Sequence, residues 1–246
     1  MPSSPSSCEK PRVAVSACLG FRACRYDGAI LDCPTLSSLA GRVEFVPVCP
    51  EEGIGLGTPR PPIRIVRNGG GERLIQPSTG RDLGGRIEDF AEGFLAREGA
   101  LDGFVVKSRS PSCALRDTKI HSSLHDETQV DRGEGWFARR VRTLRPHLPR
   151  IEETDLEIPP ALEDFLIEVG LLSWLRRLRP GDGKKGIAAH RAEAQPYLAR
   201  RNPRGNSELE RLRKEHRTLG DEAFLDLYRT VFLRVFTEVR KEPPRS

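Results

Sequence analysis

Val105-Val-Lys-Ser-Arg-Ser-Pro-Ser-Cys-Ala114 begins inside a short apolar run, Gly103-Phe-Val-Val106, and passes into a polar turn that ends in a cysteine. Proline stiffens that turn, and serines supply hydrogen-bond groups beside the sulfur. The same arrangement occurs twice more. Cys18 follows Val13-Ala-Val-Ser-Ala17, and Cys49 follows Val43-Glu-Phe-Val-Pro-Val48. Short β-branched runs bounded by Pro and Gly read as strands, so each of three strands delivers one cysteine just past its carboxyl end. In an open α/β sheet that edge is where a site forms.

Working outward, the spacing predicts a first strand over 11–17, a short helix over 34–41 capped by Asp32 or Thr35, and a second strand over 43–48. Residues 49–62 hold three glycines and four prolines in fourteen positions and read as a structured loop. Ile63-Arg-Ile-Val66 and Glu72-Arg-Leu-Ile75 flank Asn68-Gly-Gly-Gly71 and predict a hairpin. Ile87, Phe90, Ala91, Phe94 and Leu95 keep helical spacing between Gly84 and Gly99, ahead of a third strand over 103–107. Strand, helix and strand in alternation predict an α/β fold with a parallel, Rossmann-like sheet and flanking helices. Polar residues 115–133 read as loop, 134–146 as helix, 148–151 as an edge strand and 160–178 as an amphipathic helix. The run Arg179-Pro-Gly-Asp-Gly-Lys-Lys-Gly186 marks a boundary. Helices over 187–200, 206–218 and 221–240 then form an all-helical appendage. The expected division is a polar tail at 1–10, an α/β domain at 11–178 and a basic helical region at 187–246.

Composition narrows the function. In 246 residues, 37% are apolar, enough for a core. No run approaches the ~20 apolar residues a membrane helix needs, and the start is neither basic nor apolar, unlike a signal peptide. A cytoplasmic location is therefore expected, where thiols stay reduced and the six cysteines suit metal or chemistry better than disulfides. Cys8 falls in the polar tail. Residues 171–246 carry 18 Lys and Arg against 10 Asp and Glu, whereas the first 170 carry 22 against 25. That asymmetry suits an anionic partner such as RNA, or a solvated arginine-rich surface.

Three cysteines at one edge admit several chemistries. Structural zinc takes four ligands, commonly with a close Cys-x-x-Cys pair, and no such pair exists here. An iron–sulfur cubane accepts widely spaced cysteines, and with three of them one iron stays open as a Lewis acid. A single nucleophilic cysteine would need an activating base and leaves the other two unexplained. Free cysteines also serve simply as small core residues.

Ser16-Ala-Cys-Leu-Gly20 with Cys24-Arg-Tyr-Asp-Gly28, then Cys49-Pro-Glu-Glu52, Gly57-Thr-Pro-Arg-Pro-Pro62 and Lys107-Ser-Arg-Ser-Pro-Ser-Cys113 together resemble the thiouracil desulfidase family, long catalogued as domain-of-unknown-function family 523. The resemblance covers about residues 11–175. It implies a [4Fe–4S] cluster on Cys18, Cys49 and Cys113 with one open iron, and a non-redox exchange of a pyrimidine thiocarbonyl for a carbonyl with release of sulfide. It places Glu51 and Ser110 as catalytic residues and Arg25, Asp27, Lys107 and Ser112 around the substrate, although an Arg25–Asp27 pair that holds the loop is the favoured use of those two. Cys24 is the alternative ligand to Cys18. Gly20 and Ala114 depart from the family's second leucine and its glycine after the last cysteine. The longer members are similar to desulfidases of 4-thiouridine in transfer RNA. Residues 180–246 match their second domain poorly. Two other classes remain: an RNA-binding module with structural zinc, and a sulfur-transfer protein, which would need ATP or a sulfur donor, and the sequence holds no Gly-rich loop followed by Lys-Ser/Thr to bind ATP.

Overall fold

The computed structural model describes residues 9–124, 129–216 and 218–239; Cys8 lies outside them. Strands β1 (Arg12–Ser16), β2 (Glu44–Val48), β6 (Gly103–Val106) and β9 (Arg150–Glu152) form one sheet in the order β2-β1-β6-β9, every pair parallel. Ser16 stands opposite Val48 and Val15 opposite Val105, so the three cysteine-bearing strands end side by side. The expected parallel α/β sheet is present, with β9 at its edge.

The sheet is covered on both faces, as parallel sheets are. Helix α3 (Gly84–Glu98) and helix α4 (Trp136–Leu144) lie on one face, where Phe94, Phe104 and Phe137 meet edge-on at 6.0–6.4 Å. The other face packs Val13, Val15 and Val105 against α1 (Pro34–Leu39) and against Phe165 and Val169 of α5 (Pro159–Arg177). Alternate residues of β1 and β6 thus point into different clusters, the period-2 pattern of a strand buried on both sides.

A second, five-stranded sheet has the order β5-β4-β3-β7-β8, built from β3 (Arg64–Asn68), β4 (Gly71–Gln76), β5 (Arg81–Asp82), β7 (Thr118–His121) and β8 (Gln129–Gly133). The hairpin is present as β3–β4. The loop expected over 115–133 is corrected: it contributes β7, parallel to β3, and β8, antiparallel to β7. In Thr118-Lys-Ile-His121 only Ile120 is a large apolar residue, so pairing with β3, rather than hydrophobic pattern, makes it a strand. The loop reading of 49–62 is also corrected at its start, because Pro50–Gly53 winds one helical turn, α2, headed by proline. Gly55 and Gly57 stop it with φ of 79° and 73°. Neither Asp32 nor Thr35 caps α1; Cys33 occupies that position and the Thr35 hydroxyl donates to Glu157 instead.

After one 3₁₀ turn at Pro180–Asp182, α6 (Gly183–Arg201), α7 (Pro203–Glu215) and α8 (Asp221–Val239) follow. The Asn202 side chain caps α7 by accepting from Gly205 N at 2.9 Å. Tyr197, Phe224 and Tyr228 are 3%, 2% and 1% exposed, so they are core side chains rather than platforms for stacking bases. Leu171, Leu172, Leu175 and Leu178 of α5 and its end join these helices to the same apolar cluster as the sheet. Among the described residues no helix is long and apolar enough to cross a membrane.

Candidate metal centre

Four thiols gather past the carboxyl ends of β1, β2 and β6. Cys18 and Cys24 come from the loop after β1, Cys49 heads α2, and Cys113 ends the turn after β6. The Cys24 thiol lies within hydrogen-bonding reach of both Cys18 and Cys49. Its sulfur, the Cys49 sulfur and a Glu52 oxygen all fall within 4.8 Å of one another. Cys113, 7% exposed, has its sulfur against the hydroxyls of Ser16 and Ser110 and near enough to Cys49 and Glu51 to feel their charge. Cys33 instead belongs to the apolar cluster around α1. All five described cysteines are free thiols.

The Cys113 turn is built by its own serines. Ser110 Oγ accepts from Ser112 N at 3.2 Å and Cys113 N at 3.1 Å, which curls the backbone around the sulfur. Arg109 at the bend adopts a left-handed φ of 58°. Gly135 presses on the turn: a Cβ there would stand 2.5 Å from Ser112 C and 2.6 Å from Cys113 N. Ser16 ties the turn to β1, because its hydroxyl accepts from Lys107 N at 3.0 Å while it touches the Cys113 sulfur.

Glu51 lies beside these sulfurs and is 9% exposed. One carboxylate oxygen accepts from Ser112 Oγ at 2.9 Å and the other from Arg60 Nε at 2.8 Å. Arg60 then donates to the Cys24 carbonyl at 3.0 Å and the Gly57 carbonyl at 2.8 Å. One buried guanidinium therefore joins the Glu51 carboxylate to both cysteine loops. Burial works against its charge, yet the Glu51 carboxylate beside it outweighs burial and raises the guanidinium above its ordinary value. Nothing in the sequence assigns a role to Ser16 or Arg60, although the Gly57–Pro62 motif sets an arginine between prolines.

Cys24, Cys49 and Cys113 resist ionisation without a metal. Burial pushes Cys113 up to about 12. Contact with Cys18, followed by burial, takes Cys24 to about 11 despite an opposing pull from Cys49. Cys49 is raised still further by Cys24 and by burial. Several adjacent thiolates repel one another, so they deprotonate together only against a compensating cation. A cluster of four sulfurs, two of them buried, suits a soft metal group, and the residues fit an iron–sulfur centre in donor chemistry.

The remaining expected residues are committed to local partners. Arg25 pairs with Asp27 at 3.2 Å, and Asp27 accepts from Ala29 N at 3.0 Å; that turn, then Arg25, lowers the Asp27 carboxyl. This pair is thus engaged in shaping its own loop. Lys107 Nζ donates to Glu153 at 2.6 Å and to Ser108, so its charge is spent at the β6–β9 side. Ser112 is fully buried and serves Glu51. A cavity of about 300 Å³ opens beside Cys49 and Glu52, with Arg22, Phe90, Phe94 and Arg97 on its other walls. A further cavity of about 380 Å³ lies at the opposite sheet edge near Leu101 and Asp102 and holds no cysteine.

The sequence profile of the 2-thiouracil desulfurase family matches residues 13–153, which contain all four clustered cysteines, Glu51 and Arg60. The uncharacterized protein YbbK of Bacillus subtilis (strain 168) is 32% identical over 111 residues, which span 41% of this chain and 72% of YbbK. The solved structure of a [4Fe-4S]-dependent thiouracil desulfidase, TudS (DUF523Vcz), is 29% identical with a TM-score of 0.47, covering 63% of this chain and 99% of that one. With more than half of its length inside that profile, the chain belongs to the 2-thiouracil desulfurase family.

Proposed function

We propose that this protein removes sulfur from a thiolated pyrimidine and releases it as sulfide, using a [4Fe–4S] cluster held by Cys18, Cys49 and Cys113. The observation that carries the reading is the convergence of three parallel strand ends, each bearing one cysteine, on a buried Glu51. Bound there, the cluster supplies an open iron with affinity for the substrate's sulfur.

The chain's own residues supply the rest. Glu51, held between Arg60 and Ser112, accepts a proton from the water that attacks the thiocarbonyl carbon. It returns that proton to the departing sulfur, so that a C=S and one water become a C=O and hydrogen sulfide. Ser110 and Ser16 hold the Cys113 sulfur in place. The Phe90 ring on the wall beside Cys49 offers a flat apolar surface to a pyrimidine. The substrate is either free thiouracil or 4-thiouridine in transfer RNA, and the basic balance of residues 171–246 favours including the RNA. A reducing compartment such as the cytoplasm suits the free thiols.

Anaerobic protein is expected to contain about four irons and four sulfides per chain, both lost in Cys113→Ser. Sulfide should appear from 2-thiouracil or from 4-thiouridine transfer RNA. Glu51→Gln should keep the iron yet slow release about 10²–10⁴-fold. RNA turnover that falls steeply with salt while free-base turnover is absent would fix the substrate as RNA; salt-independent turnover of free thiouracil would remove it. A second reading rests on the Cys24, Cys49 and Glu52 atoms within 4.8 Å, a spacing that suits one zinc ion in a non-catalytic RNA-binding module. Zinc without iron after reconstitution would favour that module and end the desulfidase reading.

A further inference from the structure

Four large apolar side chains are exposed among the described residues, and three of them, Phe21, Tyr26 and Ile30, belong to the loop between β1 and α1 that carries Cys18 and Cys24. The fourth, Ile158, lies beside the start of α1, where Thr35 donates to Glu157. One exposed apolar residue is ordinary on a protein surface, whereas several on one cysteine-bearing loop mark a contact surface. Phe21 is partly used by Phe45, which it meets edge-on at 5.5 Å. Tyr26, 47% exposed, is anchored through its backbone. Its carbonyl accepts from Arg60 N at 2.8 Å, and the Arg60 guanidinium in turn reaches Glu51 and the Cys24 carbonyl. The Arg25 guanidinium lies 5.7 Å from the Tyr26 ring centroid while Asp27 holds that arginine, so the ring is braced before any ligand arrives.

Two further cations stand at this edge. Arg22 pairs with Glu52 at 3.3 Å and lines the cavity beside Cys49. Arg109 leaves the end of β6, next to β1, with its left-handed backbone fixed by donation from its N to Asp117 at 2.6 Å. Its side chain stays 77% exposed, with Nε 3.7 Å from the Asp117 carboxylate. Exposed pairs of this kind contribute little to stability, so either guanidinium can trade its carboxylate for a phosphate. A braced ring flanked by such arginines matches the alternation of base and phosphate along a single strand. The helical region 187–246 offers charge without a ring, because Tyr197, Phe224 and Tyr228 are core side chains.

Resting on the desulfidase reading above, we infer that residues 21–30 and Arg109 form a lip that binds single-stranded RNA around the site. Tyr26 stacks on a base next to the thiolated pyrimidine, and Arg22 and Arg109 take the flanking phosphates. The thiolated base then enters the site turned out of its strand. The basic helical region adds only diffuse attraction.

The test uses the full chain, reconstituted anaerobically, as wild type, Tyr26→Leu, Tyr26→Phe, Arg109→Gln and the double variant Arg204→Gln with Arg211→Gln on the exposed side of α7. The probe is an RNA oligonucleotide of about eight nucleotides, within the span such surfaces cover. With uridine at its centre it reports binding by fluorescence anisotropy; with 4-thiouridine there it reports sulfide release, beside 2-thiouracil as the free base. Tyr26→Leu should weaken oligonucleotide binding about 5–150-fold and raise KM in step, with kcat and 2-thiouracil turnover unchanged. Tyr26→Phe keeps the ring face and should match the wild type. Arg109→Gln should lower the salt slope of binding by about 1, and the α7 variant should bind as the wild type does. Unchanged binding by Tyr26→Leu, or an equal loss for 2-thiouracil and oligonucleotide, would overturn the lip. So would a wild type that ignores the oligonucleotide but sediments as a dimer that Tyr26→Leu dissociates, because a second copy then covers the loop. In each of these cases sulfide released from 2-thiouracil keeps the desulfidase reading, whereas no iron and no sulfide from either substrate ends that reading itself. Should Tyr26→Leu fail to fold, the salt slope of Arg109→Gln decides, and an unchanged slope overturns the lip.

Discussion

His190 gives the protein a predictable sensitivity to acid. It is fully buried in α6, with Nε2 at 2.9 Å from the Leu171 carbonyl and Nδ1 at 2.7 Å from Tyr228 OH. The carbonyl can only accept, so Nε2 carries the proton and Nδ1 accepts from the tyrosine. Trp174, Tyr228 and Phe232 surround the ring at 5.4, 5.7 and 4.8 Å between centroids. Arg191 of α6 lies near Tyr228, and Glu168 of α5 accepts from the Tyr197 hydroxyl. Burial, only partly offset by the Leu171 carbonyl, lowers the ring from 6.5 to about 4. The folded value is depressed, so the unfolded chain binds the proton first. Stability is complete above pH 6.5 and falls as pH drops towards 4. At about 1.4 kcal/mol per pH unit, this one residue removes about 3 kcal/mol across that window. Urea unfolding of wild type and His190→Leu, each from pH 7.5 to 4, isolates the effect from the carboxylates, which act equally in both. His190→Leu should be less stable at pH 7.5 by about 1–3 kcal/mol, since the Tyr228 hydroxyl and Leu171 carbonyl lose a partner, and should show the smaller acid-induced loss. Parallel pH curves for the two proteins would refute the assignment.

Two substitutions probe the site's framework. Gly135→Ala would drive a methyl against the backbone of Ser112 and Cys113, which cannot yield as a side chain end can, and should cost about 1–3 kcal/mol together with most of the bound iron; full iron content and an unchanged melting temperature would show that the turn moves freely. Arg60→Gln strands the Glu51 carboxylate in the pocket and should cost about 3–5 kcal/mol by thermal or urea unfolding, whereas Arg60→Lys keeps the charge, loses part of the fork to Cys24 and Gly57, and should recover much of that loss; equal stability of the two variants would mean that shape, not charge, is what Arg60 supplies.

Local signals carried the reading where one segment contains its own instruction. The runs before Cys18, Cys49 and Cys113 are short, β-branched and bounded by turn residues, so strands and cysteine placement were legible without tertiary information. The apolar period of Ile87, Ala91, Phe94 and Leu95 defined α3 for the same reason. The strands β7 and β8 were not legible, because Lys119, Asp131 and Arg132 give little hydrophobic pattern and the pairing partner β3 lies some 50 residues earlier. The α2 turn was hidden by its own glycines and proline, residues that suggest loop until Cys49 is seen to head a helix.

Residue types and spacings alone therefore determined that this chain makes a parallel α/β sheet with cysteines at one edge, since strand period and turn chemistry act over a few neighbours. Which groups meet at that edge was decided by the tertiary structure, since contacts across dozens of residues have no local signature. Only the folded chain brings Arg60 between Glu51 and the Cys24 carbonyl, sets Lys107 against Glu153 instead of the pocket, and places Cys24 against both Cys18 and Cys49.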